Sequence, residues 1–276
     1  MHIQIFNKIK NCIINRIMYS NVVLTIGGSD SGGGAGIQAD LRTFMALKVH
    51  GCSAITCITA QNSIGVNDVE AINENTLENQ IDAVFSDFEI KAVKTGMLLN
   101  EKIILRTSKK LSNFSIPKII DPVMVSRSGA TLIEKNGISA YKSLLFPQAD
   151  IITPNIFEAN LLSGIEIKDK KDIEIAGSKL LELGPKSILI KGGGIKHLKG
   201  KDFYIDQTGF SRWFDINFVN TSNTHGSGCT LSAAICSHRG LGLNLLDSIE
   251  KSKLFVRRSL SKSYKIGSGP GPLGHH

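Results

Sequence analysis

The chain has 276 residues, of which 42% are hydrophobic and 20% charged, a composition ordinary for a protein built around an apolar core. Its formal net charge is +8 at pH 7, but the basic residues are scattered and no aromatic platform accompanies them, so we expect no nucleic-acid partner. No apolar run is long enough to span a bilayer, and the five cysteines lack framework spacing. These features argue against a membrane protein, structural zinc and disulfides, and favour the cytoplasm.

The first twenty residues precede the first predicted strand and carry no motif. They contain no acidic residue, and a weak amphipathic presequence is one interpretation of them. Only one Arg and one Ser occur there, however, and no small-residue cleavage site follows, so we interpret residues 1–20 as a dispensable N-terminal extension. Since no internal repeat or low-complexity linker divides the rest, residues 21–273 are predicted to form a single domain.

Short apolar runs rich in β-branched residues recur along the chain and predict buried strands. In chain order these runs are Val22–Ile26, Cys52–Thr59, Ile90–Lys94, Lys118–Ile120, Asp150–Thr153 and Ser187–Lys191. Helical patterns lie between and after them, at Ile37–Leu47, Leu77–Phe85 and about 101–113, 135–146, 172–183, 228–239 and 244–264.

The pattern changes between residues 201 and 219. There, 202–206 and 210–214 flank Gln207-Thr208-Gly209, which predicts a β-hairpin. Elsewhere, strands alternate with helices, which predicts an α/β fold of parallel βαβ units with helices on both faces of the sheet.

Polar or glycine-rich motifs follow six of the predicted strands. They are Gly27–Gly36, Gln61-Asn62, Lys94–Met97, Asp121-Pro122, Thr153–Glu158 and Lys191–Gly194. Ligands of open α/β sheets collect beyond the C-terminal strand ends, so this placement favours an enzyme over a structural protein.

A glycine-rich turn, Gly226-Ser227-Gly228, runs directly into the predicted helix at 228–239. Backbone N–H groups at the start of a helix are unpaired and lie at the positive end of its dipole, so this turn is a candidate anion cradle for a phosphoryl group. Cys229 follows in the first helical turn, where the pKa of a thiol tends to fall, and is a candidate base. A tight turn with a small buried thiol is the structural alternative.

In this order, the motifs resemble the hydroxymethylpyrimidine/phosphomethylpyrimidine kinases of thiamine biosynthesis, which belong to the ribokinase-like group. The matching pieces are Gly27–Asp40, Thr59–Asn62, Lys94–Met97, Asp121–Met124, Thr153–Glu158, Ile190–Gly193, His225–Thr230 and Gly267–Pro272. They span roughly residues 22–273. The resemblance implies a ribokinase-like three-layer α/β/α sandwich with a mostly parallel central sheet. Ser31 departs from the family's more frequent Pro and Ser227 from its usual Thr, but Ser227 keeps a hydroxyl, so we expect activity to survive.

The resemblance implies a pyrimidine site. Gln61 would bind the aminopyrimidine through both ends of its amide, since a primary amide offers an acceptor and two donors. Gly28 would allow close backbone approach to the ring, Met97 would pack on its face, Val123 would form a wall, and Asp40 would lie in the same pocket. For Gln61 a backbone-bonded turn residue is the alternative, and for Asp40 a solvated helix carboxylate.

The resemblance also implies a site for ATP and Mg²⁺. Asn155 and Glu158 lie three residues apart at the start of a helix, where both can point one way and provide the oxygen ligands that Mg²⁺ prefers. Asp121 would join through water, and Lys191 would place a positive charge near the phosphates. The alternatives are charge stabilisation of the helix N-terminus for Glu158 and a surface lysine at a strand end for Lys191.

The implied activity is ATP-dependent phosphorylation of 4-amino-5-hydroxymethyl-2-methylpyrimidine and then of its monophosphate. The resemblance places Cys229 as the base, with the turn Gly226-Ser227-Gly228 stabilising the transferred phosphoryl group. It also suggests a homodimer. A pyridoxine or pyridoxal kinase is the alternative among enzymes, and a catalytically silent pyrimidine-binding protein is the alternative outside them.

Overall fold

A nine-stranded sheet forms the centre of the protein, which a computed structural model describes over residues 21–124 and 133–276. The strands are β1 (Val22–Asp30), β2 (His50–Gln61), β3 (Val66–Ala71), β4 (Ile90–Thr95), β5 (Lys118–Ile120), β6 (Ile151–Ile152), β7 (Ser187–Lys191), β8 (Lys201–Asp206) and β9 (Ser211–Asp215). Their order across the sheet is β3-β2-β1-β4-β5-β6-β7-β8-β9. The extension predicted at residues 1–20 lies outside the described residues.

The middle of the sheet is parallel and both margins are antiparallel. Strands β2, β1, β4, β5, β6 and β7 run in one direction, whereas β3 pairs antiparallel with β2, and β8 and β9 follow β7 as antiparallel strands. The predicted βαβ core and the hairpin of β8 and β9 are therefore confirmed. Strands β2 and β3 lie on one side of β1, and β4 to β9 lie on the other. The strand order therefore reverses between β1 and β4, and open α/β sheets bind ligands at such a switch point.

Helices cover both faces of this sheet. They are α1 (Gly36–Ala46), α2 (Glu74–Asp87), α3 (Glu101–Leu111), α4 (Lys135–Ala140), α5 (Ile156–Ser163), α6 (Lys170–Leu181), α7 (Ser227–Gly240) and α8 (Leu245–Ser261). One apolar core contains residues of α2 to α6, and a second contains residues of α1, α7 and α8. The predicted three-layer α/β/α arrangement is confirmed.

Two local features differ from the expectation. Strand β3 was not predicted because its Asn67, Asp68 and Glu70 are poor strand formers, and its formation depends on pairing with β2. The predicted helix at 135–146 ends early: α4 continues as one π-helical turn to Leu145 and a short 3₁₀ turn that contains Pro147. Proline lacks the N–H that a continuing helix requires.

Within the described residues, no helix is both long and apolar enough to cross a membrane. The four described cysteines, Cys52, Cys57, Cys229 and Cys236, are all free.

Candidate active site

The glycine-rich loop after β1 is organised around one carboxylate. Asp30 ends β1 and accepts hydrogen bonds from the backbone N–H groups of Gly32 (2.8 Å), Gly34 (3.1 Å) and Ala35 (2.8 Å). His225 Nε2 lies 3.0 Å from the same carboxylate. Burial would raise the pKa of Asp30, but His225 and the loop N–H groups hold it below its ordinary value, so Asp30 is ionised.

The predicted anion cradle packs directly on that loop. Gly226 precedes α7 with φ +83°, and a Cβ there would lie 2.0 Å from the carbonyl oxygen of Gly34, so only glycine fits. The Ser227 N–H donates to the carbonyl of Thr224 (3.2 Å) and closes the turn. No side chain caps α7, and the N–H groups of Gly228 and Cys229 have no carbonyl partner within the helix. Anion binding by these two N–H groups stays a prediction, which their free positions at the start of the helix favour.

Cys229 is half-buried at this helix start, and the Gly36 N–H faces its sulfur. Burial raises the pKa of the thiol to about 11, and the opposing attraction of Lys94 is too weak to reverse the effect. The expectation that the helix terminus lowers the pKa of Cys229 is therefore wrong, because desolvation of the thiolate outweighs the favourable charges.

A lysine adds positive charge beside the cradle. Lys191 Nζ lies 2.9 Å from Asp121 Oδ1 and 3.4 Å from the position that a Cβ on Gly228 would take. Burial would lower the pKa of Lys191, but Asp121 and Glu158 outweigh it and raise the pKa, so the ammonium stays charged. Hydroxyls of Thr153 and Ser232 donate to Asp121, each at 3.0 Å, and hold the carboxylate in place.

The Asn155-x-x-Glu158 element is a capping box at the start of α5. Asn155 Oδ1 accepts from the Glu158 N–H (3.0 Å), and Glu158 Oε2 accepts from the Asn155 N–H (2.8 Å). The capping alternative for Glu158 is thus present in the structure. However, Glu158 is only 2% exposed, and burial together with Asp121 raises its pKa to about 7 in spite of Lys191.

The donor chemistry at this place suits a hard divalent cation. Asp121 and Glu158 are buried carboxylates whose charges repel each other, and a cation would relieve the cost that the raised pKa of Glu158 reports. Among residues 21–124 and 133–276, no group of three or more His, Cys, Asp or Glu side chains is placed to enclose a metal ion. Mg²⁺ needs no such cage, because it is commonly held by one or two carboxylates, waters and substrate phosphates.

Four of the residues predicted for the pyrimidine pocket lie near the ends of β1, β2, β4 and β5, and two of them, Gly28 and Met97, are neighbours. Gly28 is buried, and a Cβ there would lie 2.8 Å from Cys57 Sγ and 3.8 Å from Met97 Cβ. Gln61 ends β2, half-buried, with its amide 3.4 Å from His225 Nε2. Val123 is half-buried after β5. The structure therefore places Gly28 beside Met97 and Gln61 beside His225, and a pyrimidine pocket formed by these residues stays a prediction.

Asp40 is placed differently from a substrate-facing carboxylate. It is 1% exposed, and Lys94 Nζ lies 2.7 Å from both of its oxygens while the Thr25 hydroxyl donates to one of them at 2.7 Å. Lys94, itself buried, has a raised pKa because Asp40 and Cys229 outweigh the effect of burial. Asp40 thus holds a buried cation near Cys229, and its assignment as a substrate ligand stays a prediction.

Sequence reasoning did not single out three residues that organise the site, namely Asp30, Lys94 and His225. All three lie inside the family-like motifs, but the meeting of Asp30 and His225 across 195 positions has no signal in one sequence. A lysine in an apolar strand, as in Ile90–Thr95, is the one available sign of a buried charge.

Known proteins are similar to this chain over nearly its whole length. A sequence model described as phosphomethylpyrimidine kinase matches residues 30–274. The chain is 48% identical over 255 residues to a hydroxymethylpyrimidine/phosphomethylpyrimidine kinase of Synechococcus elongatus, which covers 92% of this chain and 97% of that protein. A solved phosphomethylpyrimidine kinase of Clostridium difficile is similar with a TM-score of 0.76 and 40% identity, over 85% of this chain and 97% of that one. An ADP complex of Bacillus subtilis pyridoxal kinase is similar with a TM-score of 0.85 and 34% identity, over 92% and 97%.

Proposed function

The chain belongs to the phosphomethylpyrimidine kinase family and has its ribokinase-like fold, and from that premise we propose how its residues act. It transfers the γ-phosphoryl group of ATP to the hydroxymethyl group of 4-amino-5-hydroxymethyl-2-methylpyrimidine and then to the resulting monophosphate. The observation that carries this proposal is the junction at His225. This residue touches Gln61 of the pyrimidine crevice and immediately precedes the anion-binding turn, so the two halves of the reaction adjoin.

In the proposed reaction, the substrate hydroxyl oxygen forms a bond to the γ-phosphorus while the bond from that phosphorus to the β-phosphate oxygen breaks and ADP leaves. The N–H groups of Gly228 and Cys229 and the ammonium of Lys191 stabilise the negative charge on the phosphoryl oxygens. Asp121 and Glu158 would hold Mg²⁺, which supplies charge neutralisation of the phosphates when bound. Cys229 takes the hydroxyl proton once its thiol is ionised.

The proposal is tested by ATP consumption measured in parallel with the hydroxymethylpyrimidine, its monophosphate and pyridoxal. Turnover with both pyrimidines supports the proposed function. The proposed function requires turnover with both pyrimidines, so a lack of turnover with one of them would refute it.

A pyridoxal kinase is the second candidate, because the similarity to the solved Bacillus subtilis pyridoxal kinase extends over 92% of this chain. Pyridoxal, like the pyrimidine, is a heteroaromatic ring that carries a hydroxymethyl group. Turnover with pyridoxal alone would favour this candidate.

Replacing Gln61 by leucine should weaken binding of the pyrimidine far more than binding of ATP. The amide would pair with ring nitrogen and exocyclic amine, and each buried polar group left unpaired costs roughly 1–3 kcal/mol. Calorimetric titration with each ligand separately measures the difference, and the ATP titration serves as the internal control. An unchanged pyrimidine affinity would show that Gln61 does not bind the pyrimidine.

Replacing Glu158 by glutamine should raise the Mg²⁺ concentration needed for half-maximal rate by about tenfold, the loss typical of residues at a metal site. Glutamine keeps an acceptor for the Asn155 N–H, so the capping box survives while the charge is lost. The exposed Glu166 provides a matched control, because Glu166→Gln removes a carboxylate paired only with Lys168. Equal Mg²⁺ dependence in both variants would leave Glu158 as a helix cap alone.

We also propose a homodimer located in the cytoplasm. Ile58 and Ile64 are 51% and 72% exposed beside the edge strand β3, and such apolar surface at a sheet edge favours association.

A further inference from the structure

His225 connects two parts of the proposed active site through a single ring nitrogen. Its Nε2 lies 3.0 Å from Asp30 Oδ2 and 3.4 Å from Gln61 Nε2. Its main chain is anchored separately, since its N–H donates to the carbonyl of Gly271 (3.1 Å). The ring leaves no room at Gly34, where a Cβ would lie 2.2 Å from His225 Cδ2. The ring therefore has a defined place between the glycine-rich loop and Gln61.

The partners of His225 determine whether its Nε2 carries a hydrogen. Asp30 is ionised and accepts from three backbone N–H groups, so it has no proton to donate to the ring. His225 Nε2 must therefore carry the hydrogen of this contact. A ring N–H cannot accept from the Gln61 NH₂ group, so the side of the amide facing His225 is the oxygen.

The other end of the amide gives the same answer independently. Thr59 Oγ1 lies 3.3 Å from Gln61 Oε1 and 2.9 Å from the carbonyl oxygen of Ser29, and its single proton goes to the nearer acceptor, Ser29. With that proton used, the Thr59 hydroxyl is an acceptor toward Gln61, so the amide end facing Thr59 is the NH₂ group. Both contacts therefore require the amide oxygen and nitrogen to be exchanged, which places Oε1 toward His225 and Nε2 toward Thr59.

We propose that His225 is a positioning residue, an inference that rests on the proposed function. Its Nε2–H and the Thr59 hydroxyl hold the Gln61 amide in one orientation. In that orientation the pocket binds 4-amino pyrimidines in preference to 4-oxo pyrimidines. A 4-aminopyrimidine presents an acceptor ring nitrogen and a donor amine, which match the N–H and oxygen of the locked amide. The 4-oxo analogue presents a ring N–H and a carbonyl, and would need the amide turned over. Turning it would break the contacts to His225 and Thr59.

The test measures affinities of the 4-amino substrate and its 4-oxo analogue by calorimetry, without ATP. For the wild type we expect the 4-amino compound to bind at least about tenfold more tightly, the scale on which unpaired polar groups discriminate. In His225→Phe, which keeps a flat ring against Gly34 but no N–H, we expect the preference to fall to within about threefold. His225→Gln, which can return an N–H to Asp30, should restore most of it. The exposed His50 at the opposite end of β2 gives the control His50→Phe, with wild-type preference.

Thr59→Val provides a second route, since it removes the acceptor on the other side of Gln61 while keeping the side-chain shape. This variant should lose the preference for the 4-amino pyrimidine, as His225→Phe does. If His225→Phe does not fold, Thr59→Val alone tests the proposal. A wild-type preference retained in the folded variants would overturn the locking role of His225 and Thr59. A wild type that binds neither pyrimidine would instead refute the proposed function, so the two failures are distinct.

Discussion

Replacing Cys229 by alanine is expected to lower kcat by about 10²–10⁴-fold, the usual contribution of a general base, with little change in ATP affinity. The reason is the position of the thiol, in the first turn of α7 beside the N–H groups that bind the phosphoryl group. Steady-state rates with saturating substrates, together with ATP titration of both proteins, provide the measurement.

The raised pKa makes this prediction sharper. With a thiol pKa of about 11, the thiolate is a minor species at pH 7 and increases with pH. If the thiolate is the base, wild-type kcat should rise about tenfold per pH unit from 7 to 9, whereas the alanine variant should show no such rise. Cys229→Asp should recover part of the rate and lose the steep dependence, because a carboxylate is already ionised there. Near-normal turnover of the alanine variant would make the thiol structural and leave catalysis to the cradle, Lys191 and the metal.

Replacing Asp40 by asparagine is expected to reduce the free energy of unfolding by about 3–5 kcal/mol, because it leaves a buried lysine without its counter-charge. Both side chains of the Asp40–Lys94 pair are 1% exposed, so water cannot replace the lost partner. Urea unfolding of each purified protein measures the change. The double variant Asp40→Asn/Lys94→Met removes both charges and should regain most of the stability.

The pair of Glu166 and Lys168 is the matched control for this experiment. These side chains are 77% and 69% exposed, and Glu166→Gln should cost only about 0–1 kcal/mol. The opposite pattern, with normal stability but lost pyrimidine affinity in Asp40→Asn, would show that Asp40 serves the substrate and not Lys94.

Much of the fold could be predicted because local chemistry along the chain encodes it. The apolar runs that became β1, β4, β5 and β7 were predicted at nearly their final places, since buried parallel strands read as continuous hydrophobic segments. The hairpin of β8 and β9 was equally visible from its turn. Strand β3 was missed because its polar residues are held in the sheet by the backbone of β2.

The candidate site shows a similar division. Gly226, Lys191, Asn155 and Glu158 were recognisable from motif and spacing, and they lie at the predicted edge of the sheet. The direction of the Cys229 pKa was predicted wrongly, because position in a helix is local whereas burial depends on the whole fold. The ion pair that occupies Asp40 was equally invisible, since Lys94 arrives from 54 residues away.

From the order of its residues alone, this protein's alternating strands and helices, the glycine-rich turn before α7 and its family were determined, because each depends on neighbouring residues. Only the tertiary structure decided which side chains share a proton or a charge. Asp121 meets Lys191 across 70 positions, and His225 meets Gln61 across 164. Such partners lie side by side only after the sheet has brought its strand ends together, and pKa values and hydrogen-bond directions depend on those partners.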